Sequence, residues 1–434
     1  MVLRTREQYI ADLGRKNKNV YCNGELIDRL DERQRGAINV MSISYDMARD
    51  PQYADLFLAR SHITGKTISR FTHMHQSTED LHKKQDMTRC LCNRVGTCAQ
   101  RCMGIDAANA VNAVSYEAQK RPGGKTKYYD NFIQWLTRFQ EDDLVASCAQ
   151  TDVKGDRMKR PGQQIDPDQY VHVVEERADG ILVSGSKVHI SEASISDEII
   201  VVPTRSLVKG EEAYAVSFAL PSDDPGIKQI MHCHNPRGRE HYQRGLDTGY
   251  TDSYVIFDQT FVPWERVFLC GETDLGGILA LLFALFHRHS YAGCKPATLD
   301  YTIGLASLAA EINGISKAAH VKKALAELIM IGELGYAAGY TASDLGKPEV
   351  YIPGVGQVPF GPGAYIPNTI YANVGRCLSG ESVWKEQEIL CDLAGGLPAT
   401  YPYEKDFMNP ATKEYCEKYT RCDWDMEIDD QIKF

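Results

Sequence analysis

Four side chains in two distant segments have the chemistry of soft metal ligands: Cys98 and Cys102 in TCAQRC, and His287 and Cys294 in HRHSYAGC. Thiolate and imidazole are the donors that zinc and iron–sulfur centres take in preference to oxygen. On a helix, an interval of four turns about 40° past a full circle and an interval of seven stops about 20° short of two, so each pair would share one stripe. Tyr291, four residues after His287, falls on the same stripe. If the two stripes face each other, they close a Cys3His pocket with a phenol beside it. Each half alone also fits a plainer reading, because free Cys behaves as a small buried hydrophobe and a His near an apolar run is commonly a satisfied core residue. The spacing does not separate zinc from a cluster.

A second motif is TDVKGDR, Thr151 to Arg157, at the end of a strand-like run. Gly155 frees the backbone for close approach, and Lys154 and Arg157 add positive charge, so the turn could hold a flavin's polar edge or a pyrophosphate. An ordinary Lys-Gly-Asp turn is the alternative.

The elements that must position these residues fall into three stretches. From Thr5, an N-cap with Gln8 in the capping-box place, to about residue 142 the apolar residues recur at helical spacing, with a second cap at Ser77 and Asp80. Met87 to Lys120 reads as one long helix or two in succession, with Cys98 and Cys102 in its middle and Gly96 and Gly104 weakening the pattern. Residues 143–274 change to short β-rich runs: LVASCAQT, YVHVVEE, GILVSGSKVHI, EIIVVPT, AYAVSFALP and YVIFDQTFVPW. Helical periodicity returns over 275–434, with Tyr351 to Pro367 as a long Gly- and Pro-rich loop and helices around Val374 to Leu393. The fold class expected is α+β: an N-terminal helical domain, a middle β-sheet or barrel domain, and a C-terminal helix bundle.

Composition narrows the function. The chain has 434 residues, of which 43% are hydrophobic and 24% charged, ordinary for a globular protein of two or three domains. A net charge of −10 argues against general nucleic-acid binding, which needs a basic field. The opening MVLRTREQYI has no secretory character, so the thirteen cysteines are expected to be reduced and the protein cytoplasmic. The longest apolar run, Ile278 to Phe286, is too short for a bilayer and reads as a buried helix.

Longer passages carry a resemblance. DPQYADLF, GKTISRFTHMHQSTEDL, CAQRCMGIDAANAV, TDVKGDR, SKVHIS, FVPWERVFLC, HRHSYAGCK and LAGGLPAT resemble the 4-hydroxybutyryl-CoA dehydratase branch of the 4-hydroxyphenylacetate 3-hydroxylase family, over essentially the whole chain. The resemblance implies the acyl-CoA dehydrogenase-like fold, a soluble homotetramer, and an acyl-CoA thioester as substrate. It implies a [4Fe-4S] cluster held by Cys98, Cys102, His287 and Cys294. It also implies FAD bound along Gln150, Thr151, Asp152, Val153, Lys154, Gly155, Asp156 and Arg157, together with His189, Ile190 and Ser191.

The reaction implied is dehydration of 4-hydroxybutyryl-CoA to crotonyl-CoA, with isomerisation of vinylacetyl-CoA. It requires removal of an unactivated C3 hydrogen, and the family route is a transient radical one in which FAD accepts an electron and iron assists loss of the hydroxyl. His287 is expected to carry a proton as well as to ligate, and Tyr291 and Lys295 to donate to the substrate oxygen or leaving group. Three departures stand out. Ser191 occupies a position that is usually Thr, Asp252 one that tends to be Glu, and the sequence ends at MEIDDQIKF before a family segment bearing a proton-transfer glutamate. Two other readings stay open: a flavin-dependent monooxygenase or oxidoreductase on the same scaffold, and a non-catalytic relative with a structural metal site.

Overall fold

The computed structural model describes residues 3–233, 248–352, 356–359, 361 and 364–420; MEIDDQIKF lies outside them. Helix α1, Arg6–Gly14, starts at the expected capping box: the Thr5 hydroxyl accepts from the Gln8 N–H, and the Gln8 side chain accepts from the Thr5 N–H. Strands β1, Val20–Cys22, and β2, Glu25–Ile27, form a hairpin. Helices α2, Arg35–Arg49, and α3, Ala54–Phe57, precede a second hairpin of β3, Leu58–Arg60, and β4, Thr67–Ser69. Then come α4, Thr78–Val95, α5, Cys102–Gln119, and α6, Tyr128–Glu141. Ser77 caps α4, its hydroxyl accepting from the Asp80 N–H at 3.2 Å.

Between α4 and α5 the structure corrects the helical stripe expected of Cys98 and Cys102. Gly96 adopts a left-handed φ of 68° and donates its N–H to the Cys92 carbonyl, which closes α4. Such a glycine is a helix stop, but apolar periodicity on either side hides the break. Cys98 therefore lies in the connecting loop, and Cys102 is the first residue of α5.

The middle stretch contains β5, Ala146–Ala149, β6, His172–Glu176, β7, Gly180–Ser191, β8, Glu198–Val201, β9, Val216–Pro221, β10, Ile227–Cys233, β11, Thr251–Pro263, and β12, Val267–Cys270. They build two sheets, one in the order β2-β1-β10-β11-β7-β6 and one in the order β12-β9-β8-β5. The first stretch thus lends β1 and β2 to the larger sheet, with β1 parallel to β10. One apolar core runs from α5 and α6 through both sheets into the chain beyond them.

Helix α7, Thr273–Ile312, is 40 residues long and absorbs the Ile278 to Phe286 run. It is followed by α8, Ala319–Asp344, a hairpin of β13, Glu349–Ile352, and β14, Gly356–Pro359, then α9, Thr369–Glu381, α10, Val383–Leu393, and three short helices α11, Leu397–Thr400, α12, Glu404–Met408, and α13, Lys413–Tyr419. The hairpin corrects the loop expected over Tyr351 to Pro367; dense Gly and Pro mask two four-residue strands. Helix α7 packs on α4, α5, α8 and α9. Contact with α4 is close: a Cβ on Gly293 would lie 2.6 Å from the Gln85 carbonyl oxygen. Pro296, inside α7, has no N–H for the Ala292 carbonyl, and Gln85 Nε2 donates to that oxygen from α4 at 3.4 Å.

Candidate active site

A cavity of about 370 Å³ opens between the α4–α5 loop, the ends of β5 and β7, and the middle of α7. One side is lined by Cys98, His287, Tyr291, Cys294 and Lys295; Gln150, Thr151, His189, Ile190 and Ser191 also border it. Side chains from both ligand-bearing segments and the first residue of the second motif, Thr151, thus meet at one space.

The four soft ligands converge. Cys102 is buried behind the cavity, and its sulfur, a ring nitrogen of His287 and a carboxylate oxygen of Asp106 all lie within 4.8 Å of one another. Hydrogen bonds from the Cys294 and Cys92 thiols hold Cys98 well below the ordinary thiol range, and the same contacts with burial push Cys294 and Cys92 well above it. Cys92, near the end of α4, is a thiol neighbour that the motif did not single out. The His287 ring lies parallel to Phe283, with centroids 5.7 Å apart.

Asp106 also escaped the sequence reading. It is fully buried one turn after Cys102, and it accepts from Lys84 Nζ at 2.5 Å, Ser290 Oγ at 2.8 Å and His287 Nδ1 at 3.4 Å. Burial pushes its carboxyl up, but the Lys84 ammonium and the contact with His287 outweigh that and hold it well below the usual carboxylate range. The signal was a lone carboxylate in the otherwise uncharged run GIDAANAVNAV, spaced i,i+4 from Cys102.

Lys295 Nζ donates to Glu386 Oε2 at 2.7 Å, and Glu386 is itself buried. Its sequence context, KEQE in an amphipathic helix, resembles a solvated face and gave no warning. Tyr291 is half-buried with the Arg376 guanidinium 4.4 Å from its ring centroid; burial pushes its phenol up while Arg376 opposes.

The second motif divides. The Gln150 side chain donates to the Ala280 carbonyl, and the Thr151 carbonyl accepts from the Val188 N–H, so both hold the cavity wall to its neighbours. Asp152 turns away into a buried pair with Lys187 at 2.8 Å. Val153, Lys154, Gly155, Asp156 and Arg157 continue along the surface and none lines the cavity. Lys154 and Gly155 have positive φ of 74° and 51°. On β7, His189 has a φ of 58° and Glu192, just beyond the strand, 61°. Such backbone is uncommon for residues with a Cβ and concentrates at functional sites. Glu192 is buried with neither carboxylate oxygen hydrogen-bonded, and burial, then Cys98 and Asp252, push its carboxyl well above the usual range.

The family model for the 4-hydroxyphenylacetate 3-hydroxylase N terminal matches residues 5–269, and that for the C terminal matches 277–434. The 4-hydroxybutyryl-CoA dehydratase/vinylacetyl-CoA-Delta-isomerase of Clostridium aminobutyricum is 40% identical over 94% of this chain and 82% of its own length. The 4-hydroxyphenylacetate 3-monooxygenase oxygenase component of Thermus thermophilus is 27% identical over the same shares of chain and relative. Among solved structures, an oxygen-tolerant archaeal 4-hydroxybutyryl-CoA dehydratase from N. maritimus superposes with a TM-score of 0.91 at 31% identity, over 100% of this chain and 85% of that one. An oxygenase component of 4-hydroxyphenylacetate 3-monooxygenase complexed with FAD gives 0.83 at 25% identity, over 99% and 87%. The expected fold class, α+β and acyl-CoA dehydrogenase-like, therefore stands. No helix among the described residues is long and apolar enough to cross a membrane. With both halves matched and a dehydratase relative at 40% identity, the chain belongs to the 4-hydroxyphenylacetate 3-hydroxylase family, alongside its 4-hydroxybutyryl-CoA dehydratases.

Proposed function

We propose that this protein dehydrates 4-hydroxybutyryl-CoA to crotonyl-CoA and isomerises vinylacetyl-CoA, with FAD and a [4Fe-4S] cluster at the described cavity. The observation that carries the reading is the convergence of Cys98, Cys102, His287 and Cys294 beside Gln150, Thr151, His189, Ile190 and Ser191. Three thiols and an imidazole fit a cluster with one iron on nitrogen. The names of the dehydratase relatives and the FAD complex of a family member support the same assignment.

When bound, the flavin would supply the one-electron chemistry that removal of an unactivated C3 hydrogen demands, and the cluster a Lewis-acidic iron to assist loss of the 4-hydroxyl. The chain supplies the rest. His287 moves a proton when it is not ligating, its two roles alternating. Lys295, anchored by Glu386, and Tyr291 donate hydrogen bonds to the thioester oxygen or the departing hydroxyl. Gln150, Thr151 and residues 189–191 in the cavity wall would hold the flavin, and the surface turn 153–157 beyond them, with Asp152 fixing its base through Lys187, completes the expected binding segment. Three units, residues 1–142, 143–274 and 275–434, the cytoplasm as compartment, and a homotetramer complete the reading.

A flavin monooxygenase is the second reading, favoured by relatives such as that of Thermus thermophilus. It has no use for a Cys3His set. Anaerobic purification with iron, acid-labile sulfide, zinc and flavin determined per subunit decides between them. About four irons and four sulfides with one FAD, together with turnover of 4-hydroxybutyryl-CoA, are expected. FAD without iron or sulfide would move the assignment to the monooxygenase, and zinc in place of iron to a structural site.

A further inference from the structure

We propose that Asp106 is a positioning residue for His287, held in place by the buried ammonium of Lys84, and that this pair sets how firmly the imidazole-bound iron is kept. The inference rests on the cluster reading above. Asp106 Oδ1 is occupied by Lys84 Nζ at 2.5 Å, while Oδ2 accepts from Ser290 Oγ at 2.8 Å and faces His287 Nδ1 at 3.4 Å. An ionised carboxylate only accepts, so Nδ1 must carry the proton, and the ring is left in the tautomer whose Nε2 lone pair can ligate.

Lys84 is in turn fixed by the Phe286 carbonyl at 3.0 Å, one residue before His287. The ammonium therefore ties α4, α5 and α7 at the point where the imidazole leaves its helix. Both members of the ion pair are almost completely buried. A buried pair of this kind is weak evidence for stability, since well-packed apolar residues often serve as well. Its placement beneath one ligand and between the three ligand-bearing or ligand-flanking helices accounts for it better. Cys102 lies one helical turn before Asp106, so a single turn of α5 would supply both a ligand and the group that orients another.

The experiment uses anaerobically purified full-length protein in four forms: wild type, Asp106→Asn, Ser290→Ala and the double variant Lys84→Met/Asp106→Leu. The double variant removes both buried charges together, so it remains informative if Asp106→Asn does not fold. Iron and sulfide per subunit, the rate of iron release to a chelator, the electron paramagnetic resonance spectrum of the reduced protein, and flavin content are measured. Expected is iron release about 10- to 100-fold faster in the Asp106 variants, a smaller change for Ser290→Ala, an altered spectrum, and unchanged flavin. Wild-type rates and spectra in a folded double variant overturn the role of Asp106 and leave the cluster reading intact. Wild type without iron and sulfide overturns both.

Discussion

Ser191 Oγ donates to Asp252 Oδ1 at 2.6 Å across the pairing of β7 and β11, so two positions that the resemblance singled out are each other's partners. Each is the smaller of the two side chains the resemblance leads one to expect there, Ser for Thr and Asp for Glu. Their effects should therefore couple. Asp252→Glu alone is expected to weaken flavin binding more than the double change Ser191→Thr/Asp252→Glu, with a coupling of about 0.5–3 kcal/mol in a double-mutant cycle. Titration of apo-protein with FAD measures it, and strict additivity would refute the pairing as functional.

The ligand set makes a sharper claim. Cys98→Ser, Cys102→Ser, His287→Ala and Cys294→Ser should each lower iron per subunit, with His287→Ala losing about one iron and the cysteine changes more. Cys92→Ser is the control, because Cys92 touches the set without belonging to it. Iron lost to the same extent from Cys92→Ser would mean that the wrong thiol had been assigned.

Lys295 owes its position to a buried carboxylate rather than to solvent. Lys295→Ala is expected to lower kcat on 4-hydroxybutyryl-CoA about 10²- to 10³-fold, the range for losing one well-placed donor. Glu386→Gln should give a smaller loss, as the amine keeps its charge but not its fixed direction. Full kcat in Lys295→Ala would remove the lysine from the chemistry.

Packing of α7 on α4 leaves no room for one extra methyl group at Gly293, where the obstruction is backbone. Gly293→Ala should destabilise by about 1–3 kcal/mol and, because Cys294 follows directly, should reduce iron loading. Urea unfolding and iron analysis of the same preparation test both effects, and an unchanged midpoint would show that the helices part freely.

His75 gives a pH dependence. Burial, then the nearby Lys84 and His73, hold its imidazole well below the ordinary range. Below about pH 6.5 the unfolded chain takes up a proton there and the folded chain does not. Stability contributed by the neutral ring is therefore complete above that pH and is lost as pH falls from it towards the depressed folded value, at up to about 1.4 kcal/mol per unit. Urea midpoints between pH 7.5 and 5.5 should fall, and His75→Leu should flatten the decline. An identical slope in the variant would assign it to other groups.

The sequence made some of this plain and hid the rest for physical reasons. Caps at Thr5 and Ser77 were legible because they depend on residues three apart. The convergence of Cys98 and Cys294 was suggested by residue type, but the stated geometry was wrong for Cys98, since periodicity passed over the stop at Gly96. Lys84 and Glu386 were invisible because a charge looks the same in sequence whether it faces water or a partner from another helix. Strand β1 joined the larger sheet through a parallel pairing over two hundred residues away, which no local pattern encodes.

Pro296 and Gln85 bear on the course of α7 at the cavity. A proline in mid-helix ordinarily provides a hinge, because the carbonyl one turn back is left without its donor. Here that carbonyl is claimed by a side chain of α4, immediately beside Cys294. The bend that the proline would otherwise permit is therefore steadied from α4, at the stretch of α7 that carries both a ligand and the cavity-lining Thr298.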